Sequence, residues 1–493
     1  MRNPPCPPAR SLWMAAAGAA AAAALLSGCS LAPLYQRPAA PVAPEWPAGT
    51  STAADSTAGV ATADIAWQEF VGDARLRELI ALALQNNRDL RVAVLAIEQA
   101  RAQYQVRRAD TVPTVNATAS GTRQPTPDGG NSSVYSAGLA LTSWEIDFFG
   151  RIASLQDAAL AQFFATQEAR NAVQTSLVAS VANAWLSLQT NTALLALTER
   201  TLATREDSLR LNQLRFDQGV TSALDLRQAQ SLTAAARSAL AQQQRLRALD
   251  TNALTLLVGR PVPPQLLAAV PAAQQQGTPA LLADVPAGLP SELLVRRADI
   301  RQAEQQLIAA NANIGAARAA FFPRIALTAG VGTASSSLSG LFEGGSWGLT
   351  LAPQALLPIF DYGRNQAGLD LAQVGRAAAV AQYEKAIQVA FREVADALAG
   401  RATLDDEVRA QQDQADAEAD RFRLADLRYR NGVSSFLDVL DAQRQLFATQ
   451  QALARTQLAQ QQNRVALYKA LGGGWMPAQP PQSQPLPAPA PLL

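Results

Sequence analysis

At 493 residues the chain is long enough for two or three domains. Its 41 Lys+Arg stand against 40 Asp+Glu, so overall charge offers no pull toward nucleic acid. Histidine is absent, which removes the commonest general base and transition-metal ligand, and the only lysines, Lys385 and Lys469, follow Glu384 and Tyr468 rather than the glycine of a phosphate-binding loop. Composition therefore argues against an enzyme and against a nucleotide-driven motor.

Arg2 and Arg10 precede an apolar run from Ala15 to Leu26, which leads into Ser27-Gly28-Cys29. This pattern predicts a secretory signal over residues 1–28, with an apolar core too short to span a bilayer. A cysteine directly after Leu-Ser-Gly makes a lipobox, in which Cys29 takes an N-acyl diacylglycerol lipid and becomes the mature N-terminus. An ordinary signal with an incidental cysteine is the alternative. Cys6 leaves with the signal, so the mature chain has one cysteine and no internal disulfide. Ser30 lacks the aspartate of inner-membrane retention, which points to the outer membrane of a Gram-negative bacterium. No other cofactor and no metal is expected. Residues 29–66 are rich in Pro, Ala and Thr and read as an extended arm.

A first repeat is expected over residues 67–258. Apolar positions at Leu76, Leu79, Ile80, Ala83, Leu90, Val94, Ile97, Ala100 and Tyr104 predict one helix from Asp73 to Arg108. A strand pair follows over 114–147: Val115, Ala117 and Ala119 alternate with polar neighbours, residues 123–133 have loop composition, and a second strand runs from Val134 to Asp147. From Ile152 to Phe216 there is neither proline nor glycine. A helix of that length reaches roughly 100 Å and points to coiled-coil-like packing. After a tip at 217–222, a shorter helix is expected from Ala223 to Val258.

Residues 259–291 form a proline-rich connector, and then the plan repeats over 292–471. Its parts are a helix from Glu292 to Ala320, a strand pair over 324–360, a long helix, a tip at 430–435 and a return helix. The Pro-rich stretch 472–493 is expected to be disordered. The repeat is clearest at the tips, where RFDQGVTSALDLRQAQ (215–230) is answered by RYRNGVSSFLDVLDAQ (428–443). Gly219 and Gly432 stand where a helix must stop. Thr221/Ser222 and Ser434/Ser435 are natural N-caps for the returning helices. Gly150-Arg151 and Gly363-Arg364 keep the same 213-residue offset as the tips, which a duplication explains.

Four strands cannot close a barrel, and open edges are not tolerated in lipid. Weak alternation with aromatics near the strand ends (Tyr135, Trp144, Phe148, Phe149, Trp347, Phe360, Tyr362) fits an outer-membrane barrel pooled from several chains. Two chains would supply eight strands, a barrel that side chains fill; three would supply twelve, wide enough for a lumen. The expectation is an α+β membrane protein. In it a trimeric twelve-stranded barrel, with four strands per chain, continues into a long periplasmic helical barrel. A small soluble sheet packed on the helices is the alternative that pattern alone leaves open.

The chain resembles the TolC-like outer membrane efflux proteins, within them the OprM-like, NodT-type lipoprotein branch. The likeness covers nearly the whole mature chain. It is carried by SWEIDFFGRI (143–152), the two tip runs, residues 285–330, VAQYEKAIQVAFREVADALAGR (380–401) and LYKALGGGW (467–475). The resemblance implies a homotrimer in outer membrane lipid that docks to a periplasmic adaptor protein and an inner-membrane pump, usually a proton-driven RND type. It implies adaptor docking at the tips, here Gly219, Val220 and Thr221 with Gly432, Val433 and Ser434. It places a closed periplasmic gate at the second tip, with Leu437, Asp438, Asp441 and Arg444 at the matching positions; the branch is not uniform at Asp438. It also implies that Tyr429 ties one hairpin to its neighbour, with Asp225 as partner. Three copies of Asp438 and Asp441 around an axis would concentrate negative charge, favour cations and raise local proton affinity.

The expected function is passive conduction of drugs and small toxic compounds from the pump to the exterior, gated at the tips. The same duct serving protein secretion or metal-ion export is an alternative, since selection of cargo lies mostly in the pump. A coiled-coil lipoprotein without a pore is a third reading, against which the two strand pairs argue.

Overall fold

The computed structural model describes residues 31–46, 65–268, 281–283 and 290–475. Residues 1–28, Cys29 and the tail from Met476 lie outside the described residues. The elements in chain order are α1 (Trp67–Phe70), α2 (Ala74–Asn86), α3 (Arg88–Ala109), β1 (Val115–Pro125), β2 (Asn131–Ile146), α4 (Arg151–Asp217) and α5 (Ala223–Val258). They continue with α6 (Pro264–Leu267), α7 (Pro290–Arg296), α8 (Ala298–Ala319), β3 (Arg324–Ser335), β4 (Trp347–Leu356), α9 (Arg364–Arg430) and α10 (Phe436–Ala470). None of the described helices is long and apolar enough to cross a membrane. The chain divides into two compact units, and α4 and α9 contribute residues to both.

The first unit holds the strands. They form one antiparallel sheet in the order β1-β2-β3-β4, so β2 and β3 join the two halves and β1 and β4 are its edges. Register sorts the side chains by face, because directly paired residues point to the same side. Val115, Leu141, Ala329 and Leu351 form one cross-sheet row, and Ala117, Leu139, Val331 and Leu349 the next. Ala119, Ala137, Thr333 and Trp347 form a third. Val115, Leu139, Val331, Trp347, Leu349 and Leu351 all lie open on this face. The alternate rows are small and polar: Asn116, Ala140, Gly330 and Thr350, then Thr118, Gly138, Gly332 and Gly348. The sheet thus offers one apolar face and one polar face.

Two differences from expectation appear here. Residues 123–125 and 131–133, of loop composition, extend the ladder: Arg123 pairs with Ser133 and Pro125 with Asn131, leaving only a turn in which the Thr126 N–H donates to Gly130 O at 2.9 Å. Polar residues suit a strand whose faces both meet solvent, so composition misplaced the turn. Between Leu141 and Trp144 the register shifts by a bulge, with Ser143 at φ 50° and its N–H on Thr328 Oγ1 at 3.2 Å.

Each strand pair hands over to a long helix through an aspartate. Asp147 accepts from the Arg151 and Ala153 N–H groups at 2.7 and 2.8 Å, and Asp361 accepts from Gly363 and Asn365 at 3.0 and 2.9 Å. An aspartate just before Gly-Arg therefore starts each long helix, three residues ahead of the glycine in the first copy and two in the second. The arm docks on α8. Leu31 O accepts from Arg318, Pro33 O accepts from Asn311 at 2.7 Å, and Glu304, with only 10% of its side chain exposed, accepts from Tyr35 and twice from Arg37 at 2.7 Å.

In the second unit the first helical stretch is broken rather than continuous. Asn87 leaves helical geometry (ψ 133°) and its Oδ1 accepts from the Leu90 N–H at 2.9 Å, capping α3, while its Nδ2 reaches Leu257 O. Arg297 breaks the second copy at the equivalent position. Buried to 7% exposure, it binds Asp299 through Nε at 3.0 Å and Nη2 at 2.6 Å, Glu393 at 2.8 Å and Ala470 O at 2.9 Å. Apolar periodicity runs through both breaks, which is why it predicted single helices.

Gly472–Trp475, expected to begin the disordered tail, is packed instead. Gln174 donates to Gly474 O, and Arg301 lies over the Trp475 ring at 5.6 Å. Tyr468 stacks on Phe70 at 4.0 Å and donates to Ile65 O.

Gly259 ends α5 at φ 78°, and a Cβ there would stand 2.4 Å from Asn86 O. Gly219 has φ 71° with nothing within 4 Å of such a Cβ. Gly219→Ala should cost about 1–2 kcal/mol from backbone strain alone, and Gly259→Ala roughly 3 kcal/mol or more because α2 must also move. Thermal midpoints of the helical signal in detergent check this; equal midpoints would refute it.

Candidate functional site at the paired hairpin tips

Both tips end their long helices in the same way. The Gly219 N–H donates to Phe216 O and that of Val220 to Arg215 O at 2.9 and 2.8 Å; Gly432 and Val433 repeat this with Tyr429 O and Arg428 O, both at 2.9 Å. These are the two bonds of a Schellman turn, and they need the left-handed glycine, here at φ 71° and 72°. Val220 and Val433, each just past its glycine, project into solvent.

The return helices start differently. Ser222 accepts from the Asp225 N–H at 3.2 Å and donates to Asp225 Oδ2 at 2.7 Å, a closed capping box joined by Thr221 Oγ1 at 3.0 Å. The Ser222 bond, backed by Thr221, holds the Asp225 carboxyl below its usual range. Ser435 occupies the equivalent N-cap of α10, but its side chain makes no cap bond to Asp438. Among the described residues Asp438 has no hydrogen-bond or ion-pair partner.

Tyr429 does connect the hairpins, though not through Asp225, whose carboxylate is engaged within its own capping box. Instead the Arg215 guanidinium donates to the Tyr429 hydroxyl and lies 5.2 Å from the ring centroid. Tyr429 packs at 45° on Phe436, beside Val439, Leu440 and Ala229 in the apolar cluster that joins α4, α5, α9 and α10. The sequence reading missed Arg215, which sits at the head of the duplicated run.

Asp441 is not a bare carboxylate. Its Oδ2 accepts from Arg421 at 2.6 Å and its Oδ1 from Arg444 at 2.5 Å. The Arg421 bond, with Arg444 behind it, holds the Asp441 carboxyl below its usual range, against the upward push of desolvation. Within one chain, then, two arginines compensate Asp441; the expected rise in proton affinity concerned three copies around an axis. Leu437, one turn before Asp441 on α10, is exposed. Arg421 was missed because nothing local marks one arginine on a helix rich in charge; only its absence from the first copy distinguishes it. Among the described residues no cluster of acidic or sulfur side chains is arranged to hold a metal.

The caps give a direct comparison. Ser222→Ala should destabilise the first turn of α5 by about 1 kcal/mol, while Ser435→Ala leaves α10 within a few tenths. Hydrogen exchange of the first-turn amides measures both, and equal loss of protection at the two helices would contradict the observed asymmetry.

A model of the family described as outer membrane efflux protein matches the chain twice, at residues 79–260 and 289–473. The toluene efflux pump outer membrane protein TtgC of Pseudomonas putida is 48% identical over 463 residues, covering 92% of this chain and 95% of that protein. The antibiotic efflux pump outer membrane protein ArpC of the same species has the same identity and coverage. Among solved structures, the open state of the MtrE outer membrane channel of Neisseria gonorrhoeae is 40% identical, with a TM-score of 0.83 over 92% of this chain and 100% of that one. A fold, a sheet and two hairpins shared over this length with efflux channels leave one conclusion: the chain belongs to the outer membrane efflux protein family.

Proposed function

We propose that the chain is the outer membrane duct of a tripartite efflux system, working as a homotrimer and carrying small organic toxicants passively to the exterior. The observation that carries this reading is the four-stranded sheet with an exposed apolar face and two edges that, among the described residues, lack a partner strand. In lipid every backbone donor and acceptor needs a partner, so such a sheet must be closed by other copies. Three copies close a barrel of twelve strands with a water-filled lumen, continued by the long helices as a tunnel. The polar rows then face the lumen and the apolar rows face lipid. The repeated order of elements, together with the double match to the family, supports a duplicated hairpin unit as the building block. The cargo class follows from relatives named for antibiotics and toluene. No catalytic role belongs to this reading.

Cys29 carries the lipid anchor in this proposal; the mass of the mature N-terminal peptide tests it. The tips Gly219–Thr221 and Gly432–Ser434 receive the periplasmic adaptor, which couples the duct to an inner-membrane pump. Leu437, Asp438, Asp441 and Arg444 line the gate. Tyr429 holds it shut by its bond from Arg215, with Asp225 rigidifying the first tip. A hydrogen bond to a charged donor contributes about 1.5–3 kcal/mol, so three copies approach the roughly 5.5 kcal/mol that separates a mostly shut from a mostly open two-state gate.

Purified protein in mild detergent should have the mass of three chains and conduct in planar bilayers; a conducting monomer would overturn the reading. Leu349→Arg, on the apolar face, should cost about 2–4 kcal/mol per chain and block insertion, whereas the adjacent Thr350→Arg should insert and alter conductance. Similar insertion of both would refute the face assignment. Arg215→Met with Tyr429→Phe should raise mean conductance while the trimer stays intact; unchanged conductance would remove these residues from the gate.

A further inference from the structure

The two hairpins share a backbone and a cap sequence, so their differences stand out. With the 213-residue offset, Arg421, Asp441 and Arg444 of the second hairpin correspond to Ser208, Gln228 and Ser231 of the first. Three neutral polar residues in one copy are three charges in the other. The structure brings these three together: Asp441 accepts from Arg421 at 2.6 Å and from Arg444 at 2.5 Å, and Arg421 also reaches Glu418 at 3.1 Å. Two cations and two carboxylates cancel. Ser222 and Asp225 close a capping box, but Ser435 and Asp438, with the same Ser-x-x-Asp spacing, do not. Asp438 is thereby left as an uncompensated charge in the first turn of α10, a local stability forgone where function takes precedence.

We propose that Arg421 sets the ion preference of the aperture: by pairing with Asp441 it cancels that carboxylate and leaves Asp438 to supply the tip's net negative charge. The inference rests on the channel reading above. The pairs are about half-exposed and add little to stability. Their effect on a permeating ion is another matter, since screening acts over about 8–10 Å and the four charges are linked in a chain of contacts of 2.5–3.1 Å. A ring of single-sign charge selects ions at a constriction, and of the two gate carboxylates on α10 only Asp438 carries no arginine. Arg421 does not touch the cargo; it is a positioning residue that acts through Asp441.

The potassium-to-chloride permeability ratio, from reversal potentials across planar bilayers in a KCl gradient, tests this. Arg421→Gln removes one of the two cations on Asp441, leaving Glu418, Asp441 and Arg444 with one net negative charge, and should raise the ratio about two-fold or more. Arg421→Lys should keep the wild-type ratio, which separates charge from shape. Asp438→Asn and Asp441→Asn should each lower it, and adding Arg421→Gln to Asp441→Asn should restore what the second lost. If Arg421→Gln leaves the ratio unchanged, or the double variant stays as low as Asp441→Asn, then Asp441 acts as a bare carboxylate and the proposal fails. Protein that inserts as a trimer yet passes no current defeats the channel reading itself, and the inference with it.

Discussion

A β-strand presents hydrogen-bonding groups on two sides, and β1 and β4 have each satisfied only one of them. In water that is a manageable liability; in hydrocarbon each unmet group costs several kcal/mol. The alternation of apolar and polar rows shows that the sheet is nonetheless built for lipid on one side. In the barrel proposed above, the strand count per chain is the organising constraint, for four strands leave two edges that further copies would have to pair.

The duplication gives the second organising theme. Aspartates before Gly-Arg start both long helices, and glycine Schellman turns end both. Where the copies diverge, the divergence is chemical. Asn87 breaks the first helical stretch with a neutral cap, and Arg297 breaks the second with a buried cation held by Asp299 and Glu393. For Asp299, burial works against the charge, yet the bonds from Arg297 keep the carboxyl below its usual range. Such a group supports folding above its unfolded pKa and loses that support as pH falls through its lower folded value.

At the tips the same contrast bears on function. The first hairpin closes its capping box and has neutral residues where the second has Arg421, Asp441 and Arg444. It reaches the second through Arg215 on Tyr429, a charge-assisted bond reinforced by the ring. The second hairpin concentrates charge around Asp441 and leaves Asp438 without a cap. Arg205, buried beside Leu232 O and over Phe447, belongs to the packing between the hairpins; burial pushes its pKa down.

What the amino-acid order determined by itself was everything set by near neighbours. Absence of proline and glycine fixed α4 to within a residue of its observed ends, and the glycines of RFDQG and RYRNG marked both turns. Alternation placed the strands, short of the pairs from Arg123 to Pro125 with Asn131 to Ser133, and the duplicated run located the tips. Only the tertiary structure decided where charges and hydroxyls meet across helices: Arg215 rather than Asp225 on Tyr429, Arg421 on Asp441, Arg297 between Asp299 and Glu393. Periodicity and capping are enforced by bonds spanning a few residues, so they are written locally. A pairing between residues 20 or 214 positions apart depends on the crossing of two helices, and no local pattern encodes that.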